Sequence, residues 1–321
     1  MNVLQALMMR SLDYAGLFPP AKLPLQRAVR EFADILQDEH EWLLARFVLP
    51  AGRAGDFAQE ARSELAEASK QRVPWHLTGL MRSSPSIDEA LDLLRSELQL
   101  LRGVLDTHPD ALVLDSCELP LPDEVIHSHD QELARSFFHE AYRIFDERQI
   151  KTPVFWEVNL NNPFEHIALA AHNLNLLDFG RVCLKFRTGG LTPVAIASPS
   201  ALAHAFKVAT HHRVPFKLTA GLHLALRHFD AAVGAEAFGF LNVFTAAVLN
   251  WTCEFSETEL RLLLEEKSCD AIEFSKEGVT WKNYSASIAD IRHVRSVGLK
   301  SFGSCSFYEP IEDLKALKLL S

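Results

Sequence analysis

From about residue 42 onward the chain alternates short apolar runs with longer stretches of helical periodicity. The runs are Trp42–Leu49, Pro74–Leu80, Ala111–Cys117, Pro153–Asn159, Arg181–Arg187, Val214–Thr219, Phe240–Phe244 and Asp270–Ser275. Apolar runs of this length, bounded by turn residues, suit strands buried on both faces. Between them, Ile87–Leu101 places Leu91, Leu94, Leu98 and Leu101 on one helical stripe, with Ser86 or Asp88 as its cap. Glu132–Gln149 does the same with Phe137, Phe138, Ala141 and Ile144. Ser198–His211 follows a Ser-Pro-Ser start signal, Ser256-Glu-Thr-Glu opens a helix through Leu264, and Ser285–Val297 closes the pattern.

Strands that alternate with helices build a parallel sheet with crossover helices. Eight of them predict an α/β fold of the (β/α)8 TIM-barrel type. An open doubly wound sheet would need a GxGxxG turn after its first strand, and Pro50-Ala-Gly-Arg-Ala-Gly55 lacks that spacing. At 321 residues the chain reads as one barrel domain, 1–321. Two pieces lie outside the eightfold pattern: an N-terminal arm and helix over 1–40 and a C-terminal arm over 298–321. Both are rich in aromatic, Gly and Pro residues, and the expectation is that they cover one end of the barrel or reach its site.

Composition narrows the function. The formal net charge of −10 opposes general nucleic-acid binding, which needs a basic face. The five cysteines are scattered and form no CxxC pair, so neither a zinc site nor a disulfide framework is expected, and reduced thiols fit a cytoplasmic setting. The first ten residues lack the basic leader of a signal peptide, and no apolar run approaches the roughly twenty residues of a membrane span. Nothing in the sequence calls for a cofactor.

Two segments carry the chemistry: Cys183-Leu-Lys-Phe-Arg-Thr-Gly-Gly190 and Pro215-Phe-Lys-Leu-Thr-Ala-Gly-Leu-His223. Each reads as a buried strand ending in a glycine turn, and each holds a lysine where a core strand is apolar. Residues two apart share a strand face, so Lys185 and Arg187 point together, as do Lys217 and Thr219. A buried ammonium needs an anion, a lowered pKa or a wet cavity. In a parallel barrel the site lies at the carboxyl ends of the strands. Those ends offer His76 and Thr78, Glu118, Glu157 and Asn159, Lys185 and Arg187, Lys217 and Thr219, Asn242, and Glu273 and Ser275.

Lys217 is the sharpest candidate for catalysis. Repulsion from Lys185 and Arg187 favours a neutral amine, able to attack a carbonyl and form a Schiff base. Glu157 is placed to relay protons. Arg187, Thr188, Gly189 and Gly190 resemble an anion-binding turn, and Gly221 and His223 close the next one. Cys305 is a further candidate at the substrate. Two other readings stand beside this one: structural ion pairs, such as Lys217–Glu157 or Lys185–Glu273, and a metal held by Glu118, Glu157, His223 and Glu273.

Lys185-Phe-Arg-Thr-Gly-Gly190, Phe216-Lys-Leu-Thr-Ala-Gly-Leu-His223, Phe240-Leu-Asn-Val-Phe244, Phe302-Gly-Ser-Cys-Ser-Phe-Tyr-Glu-Pro310 and Leu12-Asp-Tyr-Ala-Gly-Leu-Phe-Pro-Pro20 together resemble a family of bacterial proteins. That resemblance spans nearly the whole chain and implies no particular activity. Locally, Lys217-Leu-Thr-Ala-Gly221 is similar to the strand-six Lys-Thr-Ser-Thr-Gly of deoxyribose-phosphate aldolase, and this likeness implies a Schiff-base role for Lys217. The aldolases carry a second lysine on the next strand, where this chain has Asn242. Lys185 offers a cation from the other side.

The expected function is therefore that of a lyase or aldolase acting on a small anionic carbonyl or phosphorylated metabolite. The alternatives are a non-catalytic binding protein for such a metabolite and the metal-dependent enzyme. A small anionic metabolite is the expected partner, without nucleic acid or membrane, and a homo-oligomer is compatible with the composition.

Overall fold

The structure, a computed structural model, describes residues 2–178 and 181–320. Eight parallel strands close into a barrel: β1 (Leu12–Tyr14), β2 (Leu44–Pro50), β3 (Trp75–Leu80), β4 (Leu112–Pro120), β5 (Val154–Val158), β6 (Val182–Arg187), β7 (Phe216–Thr219) and β13 (Leu299–Ser304). The last of these pairs with both β7 and β1 and completes the ring. Between them in the chain lie a hairpin of β8 (His228–Asp230) and β9 (Ala235–Ala237) and an antiparallel sheet of β10 (Ile272–Phe274), β11 (Gly278–Trp281) and β12 (Tyr284–Ser287).

The expected barrel and its strand number hold, but two of its members differ. Phe240–Phe244 is no strand: it opens the helix Phe240–Thr252. The apolar run continues through Thr245-Ala-Ala-Val-Leu, too long for a strand, and every residue from Phe240 to Asn250 is buried. Such a helix has no polar face because it is packed all round, against helices Pro199–His211, Glu257–Leu264 and Ile288–Val297 and against the barrel wall. Asp270–Ser275 holds only the short β10, paired antiparallel with β11 outside the barrel.

The two missing strands come from the arms. These do not plug the barrel; they supply β1 and β13. Both were hard to see because the inner face of this seam is polar. In β1 the residue flanked by Leu12 and Tyr14 is Asp13, and in β13 Ser301, Gly303 and Ser304 interrupt the apolar residues.

The helices behave more as expected. Ile87–Thr107 buries Leu91, Leu94, Leu98 and Leu101. Its Ser86 makes no side-chain cap, however; the Ile87 N–H donates instead to Glu124 at 2.9 Å. Ser198, Ser256 and Ser287 each accept a bond from the first turn of their helices, the last two in full capping boxes. The segment after β4 forms the short helix Asp123–Ser128. Among the described residues, no helix is long and apolar enough to cross a membrane.

Candidate active site

The inward faces of the strands carry an unbroken file of alternating charges. Near the carboxyl ends, Arg187 Nε lies 3.5 Å from Glu157 Oε1, and the other Glu157 oxygen lies 2.9 Å from Lys185 Nζ. Lys185 Nζ also lies 2.6 Å from Glu118 Oε2. The second Glu118 oxygen accepts from Lys217, which donates in turn to Asp13. Asp13 accepts from Ser301 Oγ at 2.5 Å and, on its other oxygen, from Arg46 at 3.1 Å. Arg46 continues to Asp115, 3.5 Å away.

Strand geometry builds this file. Glu157, Lys185 and Lys217 are neighbours in register across β5, β6 and β7, so their side chains stand side by side on one face. Glu118 reaches the same level from the long β4, and Asp13 closes the circle from β1 beside β13. Gly303 is closely packed against β7: a methyl group there would sit only 3.1 Å from Thr219 Oγ1, inside ordinary contact distance.

Burial deepens from the mouth inward. The Arg187 side chain is 51% exposed and Glu157 is 23% exposed, whereas Lys217 is 1% and Asp13 0% exposed. Charges so deep persist only when paired. Burial opposes the Glu118 carboxylate, but Lys185 and Lys217 outweigh it and bring its pKa down to about 2. Burial likewise opposes the Lys185 ammonium, and Glu118 with Glu157 overcomes it and raises its pKa.

This changes the role expected of the lysines. Lys185 is engaged by Glu118 and Glu157, and Glu118 stands between it and Lys217, so the two lysines meet a shared carboxylate and not each other. The ammonium of Lys217 sits between two carboxylates, with its Nζ 5.6 Å from the centre of the Phe155 ring. The ion pairs formed are also not those expected: Lys217 meets Asp13 and Glu118, and Lys185 meets Glu118 and Glu157.

The remaining expected residues divide in two. At the carboxyl-end mouth, Thr188 is buried and its hydroxyl donates to the carbonyls of Thr219, at 3.2 Å, and Ala220, at 2.5 Å. Gly189 and Gly221 pack backbone to backbone: a methyl group on Gly189 would lie 3.0 Å from Gly221 Cα, and Gly221 itself has φ +76°. Both glycines therefore serve a close crossing of two loops. His223 lies on the loop after β7 and pairs with Glu309 at 2.9 Å. Cys305 follows β13 and is buried, which raises its pKa.

Two others are elsewhere. Asn242 is in the helix after β9, fully buried, and holds the Arg227 N–H and the Leu263 and Glu266 carbonyls. Glu273 is exposed on β10, outside the barrel. The metal set proposed from the sequence therefore does not converge. Glu118 and Glu157 both face Lys185, His223 faces Glu309, and Glu273 faces solvent. Among the described residues no other group of three His, Cys, Asp or Glu side chains is gathered to hold a metal ion.

Asp13, Ser301 and Arg46 were not anticipated. Arg46 had a signal, since a lone arginine inside Leu43-Leu-Ala-Arg-Phe-Val-Leu49 is the same anomaly as Lys185 and Lys217. Asp13 and Ser301 had none, because their strands do not read as strands. A separate recess of about 380 Å3 lies between helices Gln131–Glu147 and Glu165–Asp178, lined by Tyr142 and Leu174 among others, and touches none of the charge file.

No protein-family model matches the sequence, and no curated protein matches it. Among solved structures, the chain is similar to the catalytic domain of CcCel6A complexed with p-nitrophenyl beta-D-cellotrioside. The identity is 11%, over 76% of this chain and 69% of that one, with a TM-score of 0.26. A likeness at that score carries no argument about chemistry.

Proposed function

We propose that this barrel is a lyase of aldolase type, acting on a small anionic carbonyl compound or phosphorylated metabolite through a strand lysine. The observation that supports it best is the Lys185–Glu157 pair at the carboxyl-end mouth. A fixed ammonium and a partly open carboxylate lie in contact there, with Arg187 beside them. Barrel enzymes place their reacting groups at this end.

In this reading Arg187 holds the anionic group of the substrate by its guanidinium fork. Glu157 takes the proton of a hydroxyl β to the carbonyl. As that O–H bond gives up its electrons to a new C=O, the adjoining C–C bond breaks. Its electron pair moves to the carbonyl, whose developing enolate oxygen is met by the Lys185 ammonium. Returning the Glu157 proton to the enolate carbon completes the balance. Glu118 stands behind and keeps Lys185 charged and in place, while Lys217 holds the other Glu118 oxygen.

A second reading makes Lys217 a Schiff-base nucleophile. Two carboxylates touch its Nζ, so acceptors for its proton are in position when the amine attacks. Borohydride reduction with a panel of aldehydes, ketones and sugar phosphates, followed by peptide mass mapping, tests both. Turnover without an adduct supports the Lys185–Glu157 mechanism. An adduct on Lys217 supports the second. Neither turnover nor adduct across the panel overturns the lyase reading and leaves a binding protein.

A further inference from the structure

The amino-end mouth, opposite the site above, is built with more irregularity than a purely structural floor requires. The β1–β2 register runs Leu12 to Leu44 and then Asp13 to Arg46, skipping Ala45. The β3–β4 register passes from Leu114 to Ser116, skipping Asp115. Between β13 and β7 the step from Leu299 to Phe302 matches only Phe216 to Leu218, so an extra residue lies at Lys300–Ser301. Bulges re-aim side chains and gather near functional sites. Here the three lie in the amino-end halves of their strands, and they set the positions of Arg46, Asp115 and Lys300.

The charges at this mouth do not balance. Four cations, Arg10, Arg46, Arg295 and Lys300, belong to this end, and of the carboxylates Asp115 pairs with only the first two, while Asp13 is shared with Lys217. Arg10 lies 3.6 Å from Asp115, Arg46 3.5 Å, and His76 Nδ1 3.0 Å. Arg295 spends its guanidinium on the backbone carbonyls of Leu299, Lys300 and Met9, and Lys300 bonds the Ser296 carbonyl. Neither pairs with a carboxylate among the described residues. Arg46 Nε is buried without a hydrogen-bond acceptor. Consistent with crowded cations, burial and the neighbouring arginines lower the pKa of Lys300, and burial and Arg46 bring Arg295 to about 9. In a chain of net charge −10 such a surplus is local. The mouth is also open to solvent: Arg10 is 51% and His76 32% exposed.

We propose that this amino-end mouth is a second ligand site, which takes a small oxyanion of the phosphate or phosphomonoester class. Arginine forks and a lysine match the geometry and charge of such an anion, and the bulges present them to it. The site also has a route to the first. Arg46 bonds Asp13, and Asp13 bonds Lys217. An anion that draws on Arg46 shifts the share of Asp13 left to the lysine.

Inorganic phosphate is the probe. Titration calorimetry, together with NMR of protein labelled at histidine nitrogens, is run on the parent chain and on Lys300→Ala, Arg10→Ala and Arg187→Ala, each checked for folding by circular dichroism. The expected result is that phosphate moves the His76 ring signals, that Lys300→Ala and Arg10→Ala each weaken binding about tenfold, and that Arg187→Ala does not. Arg10 is half exposed, so its variant keeps the test valid if Lys300→Ala fails to fold. Three results overturn the proposal: no binding at tens of millimolar phosphate, binding lost only in Arg187→Ala, or binding that leaves His76 unmoved.

Discussion

The two oxygens of Glu118 are divided between two lysines: Oε2 lies 2.6 Å from Lys185 Nζ, while Oε1 accepts from Lys217. One carboxylate thus compensates two ammoniums that are themselves nearly inaccessible to water. Its worth is a matter of what is left behind when it goes. Attraction in a buried pair roughly offsets the cost of desolvation, but removing one partner strands the other.

The acid limb of stability should therefore follow this residue. Glu118 has its pKa depressed from an ordinary 4.5 to about 2 in the folded state. A depressed carboxyl contributes stability that is present above the unfolded pKa and is lost as pH falls through the folded one. The window is pH 4.5 down to about 2, and the contribution is on the order of 3 kcal/mol. Urea unfolding across that range should show the parent chain losing stability toward acid, and Glu118→Gln losing less. At pH 7 the variant should already be weaker by about 3–5 kcal/mol, because the two buried lysines lose the carboxylate they share. Parallel acid limbs in the two proteins would remove Glu118 from the account.

A second titration acts outside the barrel and has the opposite sign. His204 on helix Pro199–His211 bridges Glu257, 2.9 Å from Nδ1, and Glu165, 2.8 Å from Nε2. The hydrogen bond with Glu257 leads the causes that raise its pKa above 6.5; burial opposes them, and Glu165 adds to the rise. A raised histidine stabilises fully below its unfolded pKa, and the gain disappears as pH climbs through the folded one. The clamp joins the helices Glu165–Asp178, Pro199–His211 and Glu257–Leu264, so its loss should loosen them between pH 6.5 and the folded value. Solvent screens a pair this exposed, so the effect is small. Melting curves of the parent chain and His204→Ala should separate slightly at pH 6 and converge at pH 9. A constant separation would mean that packing, not charge, sets the difference.

The contrast between these groups bears on what the sequence could reveal. Lys185 and Lys217 stood out because long apolar runs framed them, and the same framing gave β2 through β7. The barrel's closing seam did not have that framing. A strand of three residues with an aspartate at its centre, as β1 is, has too few apolar positions to show a period. Its pairing is decided by Arg46, Lys217 and Ser301, all distant in sequence. Glu118 lay just past the end of its expected strand, because β4 runs on through Pro120. The helix Phe240–Thr252 erred the other way: its first five residues, apolar with a single asparagine, fit a strand as well as a buried helix. What was legible, then, is what local pattern controls. Which charges meet across the barrel interior depends on register and on three bulges, and neither leaves a local trace.

Asn242 tests the consequence of that misreading. Read on a strand, it belonged in the pocket, where the aldolases have a lysine. In the structure it is a buried clasp: Oδ1 accepts the Arg227 N–H at 2.8 Å, and Nδ2 donates to the carbonyls of Leu263 at 3.0 Å and Glu266 at 2.9 Å. It ties the loop before the helix to the end of the helix Glu257–Leu264. Asn242→Ala leaves one buried N–H and two carbonyls to find new partners, at a cost of about 2–4 kcal/mol. Asn242→Asp should cost more, since it keeps the acceptor for Arg227 but turns a carboxylate oxygen toward two carbonyls. Both changes lie outside the charge file, so both should lower the urea midpoint while the folded protein reacts with carbonyl probes as the parent does. If Asn242→Ala instead kept its urea midpoint and lost that reactivity, the residue would belong to the site after all.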